Sequence, residues 1–510
     1  MKWIASAISI RFVDRTSPSD AHANSGVHLA LVDAGQTLLQ YNLTVNVLPH
    51  RLLSRCDPYI TTTDLIDHKA KEVTWVDARV DFNLPITEED GVEEFLSYFK
   101  NNGFSLLPLG QVSSSLKDFG ILNLTTQESV GSASNTITFA DTRQYEPIDI
   151  VSFPFSFSNP LLFSNYRASG NINFISNFGY LTDVKYIDNM VGAMVLTKHD
   201  GVAESLGLVM TNLRKFNGDG DLMFILSWKV IWAIVARHHP NNHLITKPVI
   251  NKLVSTSPMV SASPARDSVL PVLVSLAYKQ SWGSCVVLNS EYLVTNFHVI
   301  KPFVQNKAAT ILVHLDASMV MDLGEEDEIN TTFKDLDLCF IRLSLTNQFK
   351  LRSAGKVPAT YTRAYDVGDM VKTTGYGLFF NPKYLQPIES YGRIMVKQHL
   401  KLQDTDSHTT PVLVVTSASC WNGSSGGGLF KDEKLVGLIC SNAQIKVHNP
   451  NTNDFHTEKL PKLCFILPVE VVLACFAVAT QSYREFGLNL EVKNAWNLVD
   501  NHRTRFAAKL

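Results

Sequence analysis

The chain has 510 residues, too many for one hydrophobic core and natural for two domains or more. Apolar residues make up 45% and charged residues 18%, a globular composition, and the formal net charge of −3 offers no electrostatic case for nucleic acid or an anionic membrane as partner. The cysteines number seven, with no CxxC pair and no secretory framework; we read them as reduced thiols of an intracellular compartment. No metal-ligand spacing is visible, so neither metal nor other cofactor is expected.

The start, Met1 to Ile8, is briefly apolar, but Arg11, Asp14 and Arg15 end the run, which reads as a short strand rather than a signal peptide. From there to about residue 250, short β-branched and aromatic runs alternate with Gly, Asn, Asp and Pro, the pattern of antiparallel strands and barrels. Residues 251–268 read NKLVSTSPMVSASPARDS, rich in Ser, Thr and Pro without apolar period: a linker. The same strand pattern resumes over 269–505. The acidic run Asp322–Asp327 reads as a solvated loop. Cys464–Thr480 is very apolar, but Pro468 and Glu470 interrupt it, so a buried strand leading into a helix is expected rather than a membrane span.

The two halves echo one another. Asn159-Pro160 precedes Gly170-Asn171-Ile172 as Asn381-Pro382 precedes Gly392-Arg393-Ile394. Ser205 to Asn212 parallels Leu435 to Asn442, and Leu222-Met223-Phe224-Ile225-Leu226 parallels Leu463-Cys464-Phe465-Ile466-Leu467, running on to Val230 and Ala233 against Val471 and Ala474. Shared order is what a duplicated domain produces.

Three signatures in the second half carry chemistry. His298 follows Glu291 to Asn296, a strand ending in a small polar pair, and an imidazole titrates where a general base is useful. Asp337 opens the apolar run Leu338-Cys339-Phe340-Ile341, where a carboxylate can fix the imidazole tautomer; Asp335 is the competitor two residues earlier. Ser425 lies in Gly423-Ser424-Ser425-Gly426-Gly427, whose glycines permit a sharp turn aiming N–H groups, expected from Gly423 and Ser425, at an oxyanion. Ser424 is the decoy hydroxyl. A serine needs a base and the base an orienting group, so catalytic His298, Asp337 and Ser425 form a coherent set. In the first half Val191 falls at the nucleophile position, and no segment there resembles Thr295 to Val299, so that half is expected to be inactive.

At these residues the chain resembles the trypsin-like serine proteases, and more closely their Deg/HtrA-type branch, over roughly residues 270–480, although no PDZ-like domain follows. The resemblance implies a mostly β fold of two tandem double β-barrel units, the N-terminal one (1–250) degenerate, and a substrate pocket lined by Ser419 and Cys420 and by Ile439, Cys440, Ser441 and Asn442. None is charged, which disfavours Arg or Lys before the cut. The tail 506–510 ends in Ala508-Lys509-Leu510, close to the peroxisomal address Ser-Lys-Leu. Together these features are similar to the family of peroxisomal leader peptide-processing proteases. That similarity implies a peroxisomal matrix location, imported matrix proteins as substrates, an import receptor reading the tail, and no nucleic-acid or membrane partner. Homo-oligomerisation stays open, as do the alternatives of an HtrA-like quality-control protease and a non-catalytic protease-like scaffold.

Overall fold

The computed structural model of the chain describes residues 263–496 except 277–278, 307, 450–453 and 481–486. In the first half it describes 9–13, 26–32, 44–48, 76–87, 90–107, 120–126, 138–139, 146–152, 154, 166–187, 190–199, 202–215 and 217–238. The chain divides into two compact units, Met1–Ser261 and Ala262–Leu510. The division falls inside the expected linker. Its last residues are not linker: Pro264–Asp267 form a short helix capped by the Ser263 side chain, and Arg266 is buried, so the second unit starts before residue 269. Residues 251–262 and the tail 506–510 lie outside the described residues.

In the first unit, β1 (Ser9–Val13), β2 (Gly26–Val32), β3 (Thr44–Leu48), β4 (Val76–Pro85) and β6 (Gly120–Thr126) form a five-stranded sheet in the order β1-β3-β4-β6-β2. Helix Val92–Asn101 buries Val92, Phe95, Leu96 and Phe99, one stripe at helical spacing, and leads to β5 (Ser105–Leu107). After β7 (Thr138–Phe139) come β8 (Pro147–Ser152), β9 (Tyr166–Ile175), β10 (Gly179–Thr182), β11 (Met194–His199), β12 (Val202–Arg214) and β13 (Gly220–Ser227). They pair as β8-β9-β10-β13-β12-β11, and the β11–β12 pairing together with β11–β8 closes the ring. Ile148, Ile150, Ile172, Val195, Leu206, Met223 and Ile225 share its core. β13 is buried on both faces, hence its unbroken apolar run, and helix Trp228–His238 follows it.

The second unit repeats the plan. β14 (Val269–Leu276), β15 (Lys279–Val287), β16 (Tyr292–Thr295), β17 (Thr310–His314), β18 (Val320–Leu323), β19 (Glu328–Asn330) and β20 (Cys339–Arg342) form a seven-stranded sheet in the order β18-β17-β14-β15-β16-β20-β19. β21 (Met370–Gly375), β22 (Ile388–Lys401), β23 (Thr409–Thr416), β24 (Gly428–Lys431), β25 (Lys434–Asn449) and β26 (Asp454–Pro468) close a barrel in the order β21-β22-β23-β26-β25-β24. Pro468 ends β26 and caps helix Val469–Ala479, the strand-to-helix step that the apolar run Cys464–Thr480 announces. No described helix is long and apolar enough to cross a membrane. The chain is mostly β, with the two tandem trypsin-like units expected. Among the described residues the first sheet of each unit is open rather than ring-closed by pairing; in the second its edges, β18 and β19, are only 4 and 3 residues long. The acidic run is not a free loop either: Asp327 accepts from the backbone N–H groups of Gly324 and Ser344 and from the Asn347 amide.

The duplication is visible in register. Both rings have one connectivity, β8 to β13 standing for β21 to β26. Gly207 faces Ser227 as Gly437 faces Pro468, and both long strands then shift register at the same point, after Val209 and after Ile439. Thr182 donates its hydroxyl to Asn171 O (2.8 Å) as Thr416 does to Arg393 O (2.9 Å). The first unit even keeps the turn before its fourth ring strand. Gly192 N–H donates to Val209 O and Ala193 N–H to Met190 O, as Gly426 does to Ile439 O and Gly427 to Ser424 O. Gly192 and Gly426 have φ of 80° and 84°. Val191 therefore occupies the structural position of Ser425. The Asn159-Pro160 echo lies outside the described residues.

Candidate active site

β16 ends at Thr295, and Asn296 turns the chain into helix Phe297–Gln305, which places His298 in its first turn. The Asn296 side chain does not cap that helix. Its amide donates to Asp337 O (3.0 Å) and contacts Cys440 Sγ (3.3 Å), while Phe297 N–H also donates to Asp337 O (3.0 Å). Three segments distant in sequence are thereby stapled at one point.

Asp337 is not the first residue of a strand, as its apolar sequel suggests. It follows the 3-10 turn Lys334–Leu336 in the left-handed region (φ 54°, ψ 36°), and the strand starts at Cys339. Asp tolerates that region better than most residues. The twist aims its carboxylate back at helix Phe297–Gln305: Oδ1 accepts from His298 N–H (2.8 Å) and Oδ2 meets His298 Nδ1 (2.6 Å). Two bonds to one residue fix the ring, and a carboxylate on Nδ1 holds the proton there and leaves Nε2 free to act as base. Asp335 is exposed at the cleft rim and makes no bond to His298.

Ser425 sits in a turn that only glycines can flank. Gly423 has φ 93°, and a side chain on it would collide with the Trp282 indole and Tyr376 O; one on Gly426 would collide with Ser284 O and Thr295 Oγ1. The N–H groups of Gly423 and Ser425 have no partner among the described residues. Ser424 is 2% exposed and its hydroxyl accepts from Trp421 N–H (3.2 Å), a structural role that removes it as nucleophile. Ser425 Oγ donates to Cys440 O (3.1 Å) rather than to His298. Catalytic hydrogen bonds are commonly unformed without substrate.

Phe297, His298, Asp337, Cys420, Ser425, Cys440, Ser441 and Asn442 all line one cleft of about 540 Å³. Two expected pocket residues are absent from its wall. Ser419 is 1% exposed, its N–H bound to Ser390 Oγ and its carbonyl to Thr373 Oγ1; Ile439 is 1% exposed in the barrel core. Each stands just before a run of lining residues, Cys420 to Asn422 and Cys440 to Asn442, and is itself turned into the interior. The cleft is also not free of charge: Lys301, Lys334 and Lys459 line it too.

Sequence reading missed Ser284, in the middle of β15. Its Oγ donates to Gly423 O (2.8 Å) and accepts from Tyr376 N–H (2.8 Å), its N–H donates to Ser425 O (2.8 Å), and its carbonyl accepts from Thr295 Oγ1 (2.7 Å). One small residue thus ties the seven-stranded sheet to the serine turn; nothing in its own sequence context marks it. The six described cysteines are unbridged and buried, and burial pushes the thiols of Cys285, Cys339, Cys440, Cys464 and Cys475 upward, which suits packing rather than chemistry.

Residues 283–438 match the family model of the trypsin-like peptidase domain. Similar solved structures include an HtrA-type protease with a bound tripeptide (17% identity, TM-score 0.30, covering 43% of this chain and 62% of that one). Others are a serine endoprotease from Yersinia pestis (18%, 0.30, 44% and 68%) and a protease from M. tuberculosis in its active form (16%, 0.30, 46% and 93%). The chain thus spans less than two thirds of the HtrA-type protease. Among curated proteins no relative of this sequence is found.

Proposed function

We propose that the second unit is a serine endopeptidase with Ser425 as nucleophile, His298 as base and Asp337 as the group that orients it. One observation carries the reading: the Asp337 carboxylate grips both the backbone and the ring of His298 in the cleft that Ser425 lines, in a turn whose Gly423 and Ser425 N–H groups have no partner among the described residues. On substrate binding the Ser425 hydroxyl leaves Cys440 O for His298 Nε2. Its proton passes to that nitrogen as Oγ attacks the scissile carbonyl, and the oxyanion settles on the N–H groups of Gly423 and Ser425. The imidazolium protonates the departing amine; water then enters, loses its proton to Nε2 and releases the acyl group from Ser425. The first unit, with Val191 at the matching turn, has no hydroxyl to acylate and serves as a non-catalytic companion.

For the biological role we favour maturation of proteins imported into peroxisomes, by removal of N-terminal leaders and internal cuts. It is supported by the pairing of an active and an inactive unit with the tripeptide Ala508-Lys509-Leu510. A fluorophosphonate probe tests the chemistry: it should label the full chain and not Ser425→Ala. Equal labelling of both would move the nucleophile elsewhere, and no labelling of either would favour a protease-like scaffold. Deleting Leu510 should move a tagged chain from peroxisomes to the cytosol. If peroxisomal matrix proteins keep the same N-termini with and without this chain, the processing role falls and HtrA-like quality control replaces it.

A further inference from the structure

The charge around the cleft has a pattern that the peptidase reading does not require. Lys301 and Lys334 are exposed on the side of the cleft that carries His298 and Asp337. Lys459 stands on the other side, where β25 and β26 run on past the barrel as a long hairpin. Its ammonium donates to the Asn422 side chain, three residues before Ser425, so it is held at the mouth beside Ser441 and Asn442 rather than swinging free. Opposing carboxylates are few. Asp337 is engaged by His298, and among the described residues Asp335 at the rim is the only other acid lining the cleft.

The hairpin extends the pattern. Gln444 faces Lys459, Lys446 faces Thr457 and His448 faces Phe455. Alternation along strands puts these six residues on one face, the face that Lys459 brings to the cleft. Lys446 is exposed, as is Phe455, whose ring lies 5.0 Å from that of His448. The acids of β26, Asp454 and Glu458, alternate with Phe455, Thr457 and Lys459 onto the opposite face, where Glu458 is bound to His456 (3.0 Å). A chain with a net charge of −3 thus surrounds its candidate catalytic cleft with cations.

We infer that this cleft selects acidic peptide segments, with Lys459 reading a substrate carboxylate next to the scissile bond and Lys446 extending the attraction along the hairpin. The inference rests on the peptidase reading and adds its substrate class. Exposed charges act through encounter and ground-state binding, so the preference should appear mainly in KM and fade with salt.

The test is a set of internally quenched peptides of one sequence, differing by Ala, Asp or Lys at each of the positions flanking the cut, given to the full chain. The expected result is kcat/KM about five- to tenfold higher for the acidic peptide than for the alanine one, lost in Lys459→Gln, kept in Lys459→Arg and reversed in Lys459→Glu. A wild-type chain that takes the fluorophosphonate label and cleaves without acidic preference overturns the inference and leaves the peptidase reading intact. So does a preference equally strong in Lys459→Gln and Lys446→Gln. A chain that takes no label overturns both.

Discussion

Replacing Ser284 by Ala removes one oxygen and should damage both stability and chemistry. The residue is fully buried, and its hydroxyl is the acceptor for Tyr376 N–H and the donor to Gly423 O. Without it a buried N–H is orphaned, at about 1–3 kcal/mol, and a bond to the carbonyl of the turn is lost, at about 1 kcal/mol more. The backbone bonds of Ser284 to Ser425 and Thr295 survive, so the perturbation is confined to the tether. The sum of about 2–4 kcal/mol corresponds to a fall of roughly 4–16 °C in the melting temperature of a domain this size. Gly423, freed at its carbonyl, no longer holds its N–H where the oxyanion forms, and fluorophosphonate labelling should slow roughly 10- to 100-fold. Thermal denaturation of the full chain and the labelling rate well below the transition give the two numbers. A variant melting within about 1 °C of wild type, or labelling at the wild-type rate, would refute the claim that this hydroxyl organises the turn.

Asp337→Asn should lower turnover about 10⁴-fold by destabilising the productive tautomer, Ser425→Ala and His298→Ala further still, while Asp335→Asn stays within about threefold; peptide hydrolysis rates decide. Glu433 receives hydrogen bonds from Lys372 and Ser263, which outweigh the upward push of burial and lower its pKa from 4.5. Its contribution is therefore whole above that value and lost as pH falls through the folded-state value, because the unfolded chain takes the proton first. The Ser263–Ser268 segment should loosen in acid, with faster proteolysis there at about pH 3.5 than at about pH 6, and Glu433→Gln should flatten the difference. Val191→Ser, in a chain already carrying Ser425→Ala, should take no label, since a hydroxyl without a base is a poor nucleophile; labelling at residue 191 would expose a second active centre.

Much of the second unit was legible because its chemistry is written in contiguous letters. Asn296-Phe297-His298 and Gly423 to Gly427 declare themselves, and the apolar run after Asp337 separates that residue from Asp335. The backbone twist at Asp337 was not legible, since a left-handed residue before a strand has the same letters as an extended one. Ser284 was invisible because its partners, Tyr376 and Gly423, are 92 and 139 residues away. Ser419 and Ile439 were misplaced because each wall begins one residue later, at Cys420 and Cys440, a boundary that no letter marks. The duplication was legible from ordered echoes such as Ser205 to Asn212, because fully buried strands admit few residue types and so keep their spelling. Arg266 lies in a serine- and proline-rich stretch that reads as tether, and its ion pair with Glu389, itself paired with Lys372, was hidden because those partners are far along the chain.

The turn at Val191 separates what the glycines of such a loop are for. Gly192 holds the same positive φ as Gly426 and makes the same backbone bond, though no nucleophile sits beside it. The bend is therefore demanded by the route the chain takes from β10 to β11, strands consecutive in the sequence but not neighbours in the closed ring, and it needs no nucleophile. A lineage that loses the hydroxyl keeps the loop, and regaining the hydroxyl alone leaves most of the apparatus still to be assembled. An inactive copy should then keep the one glycine that holds the positive φ while the rest of the loop drifts, as Met190, Val191 and Ala193 stand where the second unit has Ser424, Ser425 and Gly427.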